Sequence, residues 1–268
     1  MSNPKSFILK ARGQIMRNYL RRLTGRVRSD PADRHLAYIL TFVAGAANAG
    51  GFLAVQQYTS HMSGIVSAMA DSFALGDVKF ALSGLAAFAS FVTGAAVSAI
   101  LVNWGRRQSL QSEYAFPIMI EAALLLCFGL MGSNLSQHEW LFVPATVMLL
   151  CFIMGLQNAV ITKLSNARIR TTHVTGMTTD MGIELGKLFY WNIARSDTAG
   201  PMVRADRAKL KVHSSLVFLF FAGGIVGAVG FRFAGFGATI FLALVLLVAA
   251  AVPFFDDVKT TLSKTLAR

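Results

Sequence analysis

Apolar residues run through this chain in six long stretches, approximately 36–56, 80–104, 115–135, 141–162, 214–234 and 236–255. Each meets the ~20 residues that an α-helix needs to cross the hydrocarbon of a bilayer. Two shorter runs interrupt the series, 63–76 between the first and second and 173–189 between the fourth and fifth. Fourteen helical residues cover only ~21 Å, so the first short run stops partway across. The second carries Asp180, Glu184 and Lys187 and is a poor candidate for crossing lipid. The pattern predicts an all-α polytopic membrane protein with six transmembrane helices plus two short re-entrant or broken helices.

Both short runs open on the same motif. Gly45-Ala46-Ala47-Asn48-Ala49 is followed by Thr59-Ser60-His61-Met62-Ser63-Gly64, and Gly155-Leu156-Gln157-Asn158-Ala159 by Thr171-Thr172-His173-Val174-Thr175-Gly176. The shared pattern is G-x-x-N-A, then T-[ST]-H-x-[ST]-G. Such self-similarity marks an internal duplication whose connecting loops have drifted. It divides the chain into a basic N-terminal tail (1–35), a first membrane repeat (36–135), a second membrane repeat (141–255) and a short C-terminal tail (256–268).

Composition agrees with a membrane class: 54% hydrophobic and 14% charged residues are too apolar and too sparsely charged for an ordinary soluble domain. The net charge of +12 sits in the N-terminal tail and the connecting segments, and no nucleic-acid motif accompanies it, so it reads as membrane orientation. Re-entrant short segments and a cytoplasmic N-terminus leave only Lys79 and Arg232 of the 25 Lys and Arg outside. Eight full spans would put six outside, because Arg106, Arg107, Lys163, Arg168 and Arg170 would move out. The positive-inside rule therefore favours six spans, with both termini cytoplasmic in an inner membrane. The first repeat then enters from the cytoplasm and the second from outside, an inverted-topology repeat, where eight spans would give parallel repeats.

Nine Lys or Arg in residues 1–35 alternate with Phe7, Ile8, Ile15, Met16, Tyr19, Leu20 and Leu23 at roughly helical spacing. An interfacial amphipathic helix and a solvated basic tail both fit that pattern. Ser90, Gly94 and Ser98, like Gly223 and Gly227, recur every four residues and would let helices approach closely as internal seams or, less simply, across a homo-oligomer interface. Cys127 and Cys151 lie within apolar runs and read as small packing residues.

The duplicated motifs carry the candidate chemistry. A half-helix beginning near Ser63 or Thr175 leaves backbone N–H groups unpaired, and Ser60, Ser63, Thr172 and Thr175 are placed to cap them, with Gly64 and Gly176 allowing close approach. Two such N-termini meeting near the midplane would also form a positive site for an anionic or polar ligand. Asn48 and Asn158 can hydrogen-bond the loops ahead of the half-helices. His61 and His173 are intramembrane titratable groups, to be read either as ligand contacts or as histidines bonding across the repeat interface. The substrate-binding set is thus Asn48, His61, Ser63, Gly64, Asn158, His173, Thr175 and Gly176. Asp180 and Glu184 share a helix face and are candidate proton carriers, with Asp71 in the first repeat and Glu121 as secondary positions. An ion-pair cluster of Asp180, Glu184 and Lys187 is the competing account. No metal, cofactor or enzyme motif is present in the sequence.

The segments GAANAGGFL, TSHMSG, GLQNA and RTTHVTG, taken in order over roughly residues 36 to 255, resemble the YoaK-type family of bacterial integral membrane proteins, known chiefly by a conserved domain of unknown function. The resemblance implies a six-span or similar inner-membrane protein and carries no substrate or reaction. Gly50 departs from the family pattern, which often has an acidic or other polar residue there. The functional expectation is a small secondary transporter or channel-like permease in the lipid bilayer, not an enzyme, with its site between the two motifs. A non-transporting scaffold or regulatory protein, in which the motifs only stitch the repeats together, is the alternative.

Overall fold

A computed structural model describes residues 4–26, 29–132, 139–165, 171–190 and 202–266. These residues form helices α1 (Pro4–Thr24), α2 (Asp30–Val55), α3 (Met62–Ala74), α4 (Val78–Arg107), α5 (Ala115–Gly132), α6 (Glu139–Leu164), α7 (Val174–Phe189), α8 (Arg207–Ala234) and α9 (Ala238–Leu266). A single 3-10 turn, Gly235–Gly237, separates the last two, and no strand occurs among the described residues. Five stretches are long and apolar enough to cross a membrane, namely α2, α4, α5, most of α6, and the 54-residue stretch Arg207–Thr260 that contains α8, the turn and most of α9. The molecule is a helical membrane protein.

The long helices outrun the apolar segments. α8 starts at Arg207, where the Asp206 carboxylate accepts from the Lys209 N–H at 2.9 Å, and α9 continues to Leu266. Residues 30–35 belong to α2 and 256–266 to α9, so both helices run on into the expected tails. Helix hydrogen bonding does not stop where hydrophobicity does; polar end turns are stabilised by caps and solvent. The N-terminal segment is helical through Thr24, and Arg21 pairs with Asp256 at 2.6 Å while the Thr24 hydroxyl donates to the Ala249 carbonyl at 3.0 Å. Leu23 is buried, whereas Ile15 and Met16 are exposed. The connection predicted at 191–211 lies outside the described residues over 191–201.

α2 and α6 form the centre, each with more than half of its membrane window buried. Leu36, Leu40 and Val43 of α2, Leu150, Ile153 and Met154 of α6, and Ile118, Ala122, Leu125 and Phe128 of α5 share one core. The main partner of α2 is α8, and that of α6 is α4. Glycines permit both crossings. A Cβ at Gly45 would lie 2.9 Å from the Phe220 carbonyl carbon, and one at Gly223 would lie 2.9 Å from that of Phe42. At the other crossing the distances are 2.8 Å from Gly155 to the Phe91 carbonyl carbon and 2.9 Å from Gly94 to that of Phe152. No side chain larger than hydrogen fits against backbone at that separation. The predicted seams at Gly94, Gly223 and Gly227 are therefore helix crossings within the chain.

The short helices each fold back on the long helix that follows. Met69 of α3 touches Gly84 of α4, and Ile65 lies with Ala87, Phe91 and Cys151. The hairpin turns through Gly76 (φ +78°) to Asp77, whose carboxylate accepts from the Phe80 N–H at 3.1 Å. The antiparallel register brings the start of α3 level with Phe91, close to the middle of the 30-residue α4. On the other side Glu184 meets Asp206 and Asp180 meets Lys209, so the start of α7 falls near Phe220, the middle of the 28-residue α8. With 13 and 16 residues, ~20 and ~24 Å, neither α3 nor α7 matches the long helices beside it.

Candidate functional site

A cavity of about 1030 Å³ opens where the two short helices begin. Asn48, Ser60, His61 and Ser63 line it from the first half, and Asn158, Thr172, His173 and Thr175 from the second. Phe91 and Phe220 form part of its wall, with Tyr58, Gly155 and Thr162. The structure thus brings Asn48, His61, Ser63, Asn158, His173 and Thr175 together around one space. Gly64 and Gly176 stand behind it, and Asp71, Asp180 and Glu184 lie outside it.

The capping expectation is corrected. His61 and His173 themselves occupy the N-cap positions of α3 and α7, and neither helix has a side-chain cap. Ser63 and Thr175 fall inside the first turn, so their hydroxyls cannot reach the N–H groups a cap would serve. Ser60 and Thr172 are engaged elsewhere, by the asparagines. The Ser60 hydroxyl and N–H donate to Asn48 Oδ1 at 2.9 and 3.4 Å. Asn158 Nδ2 donates to Thr172 Oγ1 at 2.7 Å and to the Met154 carbonyl at 2.8 Å. Each asparagine therefore ties a loop to the long helix that precedes it, as their spacing predicted, and leaves the first turn of the short helix without a side-chain cap, although the Val174 N–H donates to the Thr172 carbonyl at 3.0 Å.

The glycine of each H-x-[ST]-G motif makes room for its own histidine. A Cβ at Gly64 would lie 2.9 Å from His61 Nε2, and one at Gly176 3.3 Å from His173 Cγ with Nδ1 and Cε1 closer. The imidazoles fold over the first turns of α3 and α7, and both residues are exposed to the cavity. A glycine three residues after the histidine is what lets the ring lie there.

Residues 36–252 match the family described as "Protein of unknown function (DUF1275)". The chain belongs to this family. Comparison with curated proteins and with solved structures returns no match. The matched region of this DUF1275 chain contains every residue of the cavity and both glycine crossings. At Gly50 a Cβ would meet the ring of Phe231, so the glycine here is explained by packing.

The acidic residues of α7 form ion pairs. Asp180 accepts from Lys209 Nζ at 3.1 Å and lies 3.8 Å from His213 Nε2. Glu184, buried, accepts from Lys187 Nζ at 2.8 Å and from the Asp206 N–H at 2.7 Å. The Lys209 hydrogen bond holds the Asp180 carboxyl below the usual carboxylate range, and the Lys187 hydrogen bond does the same for Glu184. Carboxyls held this way stay ionised at neutral pH. Asp71 is exposed on α3. The pair that sequence reading missed is Gln157 with Glu121: Gln157 Nε2 donates to Glu121 Oε1 at 2.6 Å, with both side chains fully buried. Gln157 sits beside the motif asparagine, but nothing in its spacing showed that α5 would be the neighbour.

Proposed function

We propose that this DUF1275 protein is a small-molecule secondary transporter or permease whose anionic or polar substrate sits between the two Asn/His motifs. The observation that carries the reading is the single cavity lined by matching residues of both motifs, with two uncapped helix N-termini at its edge. Each N-terminus contributes roughly half a positive elementary charge from unpaired N–H groups, so the pair favours an anion or the acceptor end of a polar molecule.

Six spans and an inverted repeat belong to the same proposal. Gly235, with φ +55°, divides the 54-residue apolar stretch into two helices. Equivalent positions recur in the two halves: Gly45 with Gly155, Phe91 with Phe220, Gly94 with Gly223, and the capping residues Asp77 with Asp206. Half-helices that start at mid-membrane level and border a shared cavity are the arrangement expected of inverted-repeat transporters. A scaffold would need only the asparagine ties, and a cavity of this volume would serve no purpose in it.

Uptake into proteoliposomes across a panel of small anions and neutral polar metabolites tests the proposal. His61→Ala and His173→Ala should keep the wild-type melting temperature and lose uptake of whichever solute is carried. Wild-type uptake rates in folded variants would refute the site.

A further inference from the structure

Glu121 lies on α5 within the apolar core, with no exposed surface and, among the described residues, no cation paired with it. Its Oε1 accepts from Gln157; its Oε2 is buried without a partner. Charged side chains on the helices packed around α5 sit toward helix ends and are engaged with other groups where bonds are formed: Lys163 with Asn103, Arg106 with Tyr114 and Glu113, Asp257 with Ser112 and Asp256 with Arg21. Arg107 closes α4, Lys259 lies in the last turns of α9, and Cys127 on α5 itself is exposed. A bare carboxylate in this setting would cost several kcal/mol, whereas a carboxylic acid is neutral and places its O–H at the unpartnered oxygen.

A short polar chain joins this carboxyl to the cavity. Thr171 Oγ1, fully buried, lies 3.4 Å from Gln157 Oε1 and 3.4 Å from Asn158 Oδ1. One hydroxyl proton faces two acceptors, so Thr171 serves one at a time. Asn158 in turn donates to Thr172, whose own hydroxyl proton is left to point into the cavity. In the first motif the position of Gln157 is held by Ala47, and α2 crosses its partner there without an amide. The crossing itself therefore does not require the Gln157 and Glu121 pair.

We propose that Glu121 is a proton-binding site linked to the cavity through Gln157 and Thr171, so that an anion in the cavity and a proton on Glu121 favour each other. The inference rests on the transport reading of the cavity for its purpose, though not for its test. An anion accepting from Thr172 strengthens the run Thr171 to Asn158 to Thr172, because hydrogen bonds in a chain polarise one another. Thr171 then leaves Gln157, whose donation to Glu121 weakens, and the neutral acid gains on the carboxylate. The anion's own charge acts in the same direction. By linkage the proton tightens anion binding by the same factor, which is the coupling a proton–anion symporter needs.

Infrared spectroscopy of the full-length protein in lipid nanodiscs tests this without a known substrate. Wild type should show a protonated-carboxyl band at neutral pH that is absent in Glu121→Gln. Thr171→Val, which leaves Gln157 permanently without the hydroxyl, should raise proton affinity, read from the pH midpoint of the band, roughly three- to tenfold, the scale of one net hydrogen bond. Absence of the band from wild type, or an unchanged midpoint in a Thr171→Val protein with the wild-type melting temperature, overturns the inference. Sulfate, used as an anionic probe, should raise the wild-type midpoint too. If Thr171→Val shifts the midpoint and sulfate does not, the proton site stands and the anion reading of the cavity falls.

Discussion

Substitution of Gly155 by alanine probes the crossing of α6 over α4. The added Cβ would fall 2.8 Å from the Phe91 carbonyl carbon and 3.0 Å from its Cα, both backbone atoms that cannot rotate away. Carbon atoms settle at 3.5–4.0 Å, so the two helices must part by roughly 1 Å. Overpacking of this kind costs about 1–3 kcal/mol, against a helix-propensity gain of about 1 kcal/mol for replacing glycine in a helix interior. Gly186→Ala on α7 isolates the propensity gain, since nothing lies within 4 Å of its Cβ position. Thermal unfolding in one detergent should place Gly155→Ala below Gly186→Ala by about 2–12 °C, taking about 2–4 °C per kcal/mol for a chain of this size. A second alanine at Gly94 on the same crossing should cost less than its single effect, because one opening relieves both clashes. Gly45→Ala with Gly155→Ala, at separate crossings, should come closer to additive. If Gly155→Ala melts at or above Gly186→Ala, the close crossing does not exist.

Removing the motif asparagines should have unequal effects: Asn158→Ala loses bonds to Thr172, Thr171 and Met154, Asn48→Ala only those to Ser60, so melting should fall further for Asn158→Ala, by about 1 kcal/mol per bond lost. Equal effects would contradict these ties. Gly64→Ala should displace the His61 ring and abolish uptake with little change in melting, because the ring can swing into the cavity; unimpaired uptake would show that its seat over the first turn is irrelevant. The depressed carboxyls of Asp180 and Glu184 set a pH dependence whose contribution to stability is complete above the ordinary carboxylate range and is lost as pH falls through the lower folded-state values. Acid unfolding of the α7 and α8 hairpin, followed by hydrogen exchange below about pH 4, should become shallower in Lys209→Met, and an unchanged slope would count against the pairing. Single cysteines at 77–79 should label from outside and those at 106–113 from the cytoplasm; the reverse pattern would remove the inverted repeat.

Much of the fold was legible because two periodicities survive in the residues themselves. The half-helices were predicted at 63–76 and 173–189, and α3 and α7 occupy Met62–Ala74 and Val174–Phe189. Apolar run length and a repeated histidine located them. His61, His173, Asn48 and Asn158 stood out together in the repeated sequence pattern, and all four line one cavity. The histidines' seats at the N-caps were not, because serine and threonine are the stronger capping residues and only the asparagine bonds show why they are occupied. The role of Gly45 and Gly155 was hidden in a motif that could equally have served a turn. Glu121 and Gln157 lie on helices whose adjacency is a tertiary fact, and helix extensions such as 207–213 of α8 are polar and silent in hydropathy.

The partner choice of the central helices also governs how the protein can be made. α2 leaves the ribosome well before its main neighbour α8, while α6 docks back on the earlier α4. An N-terminal fragment ending after α5 would expose the glycine face at Gly45 with nothing to fill it. Whatever the order of insertion, the final packing of α2 waits for α8, so the two halves complete each other's core rather than folding as separate units.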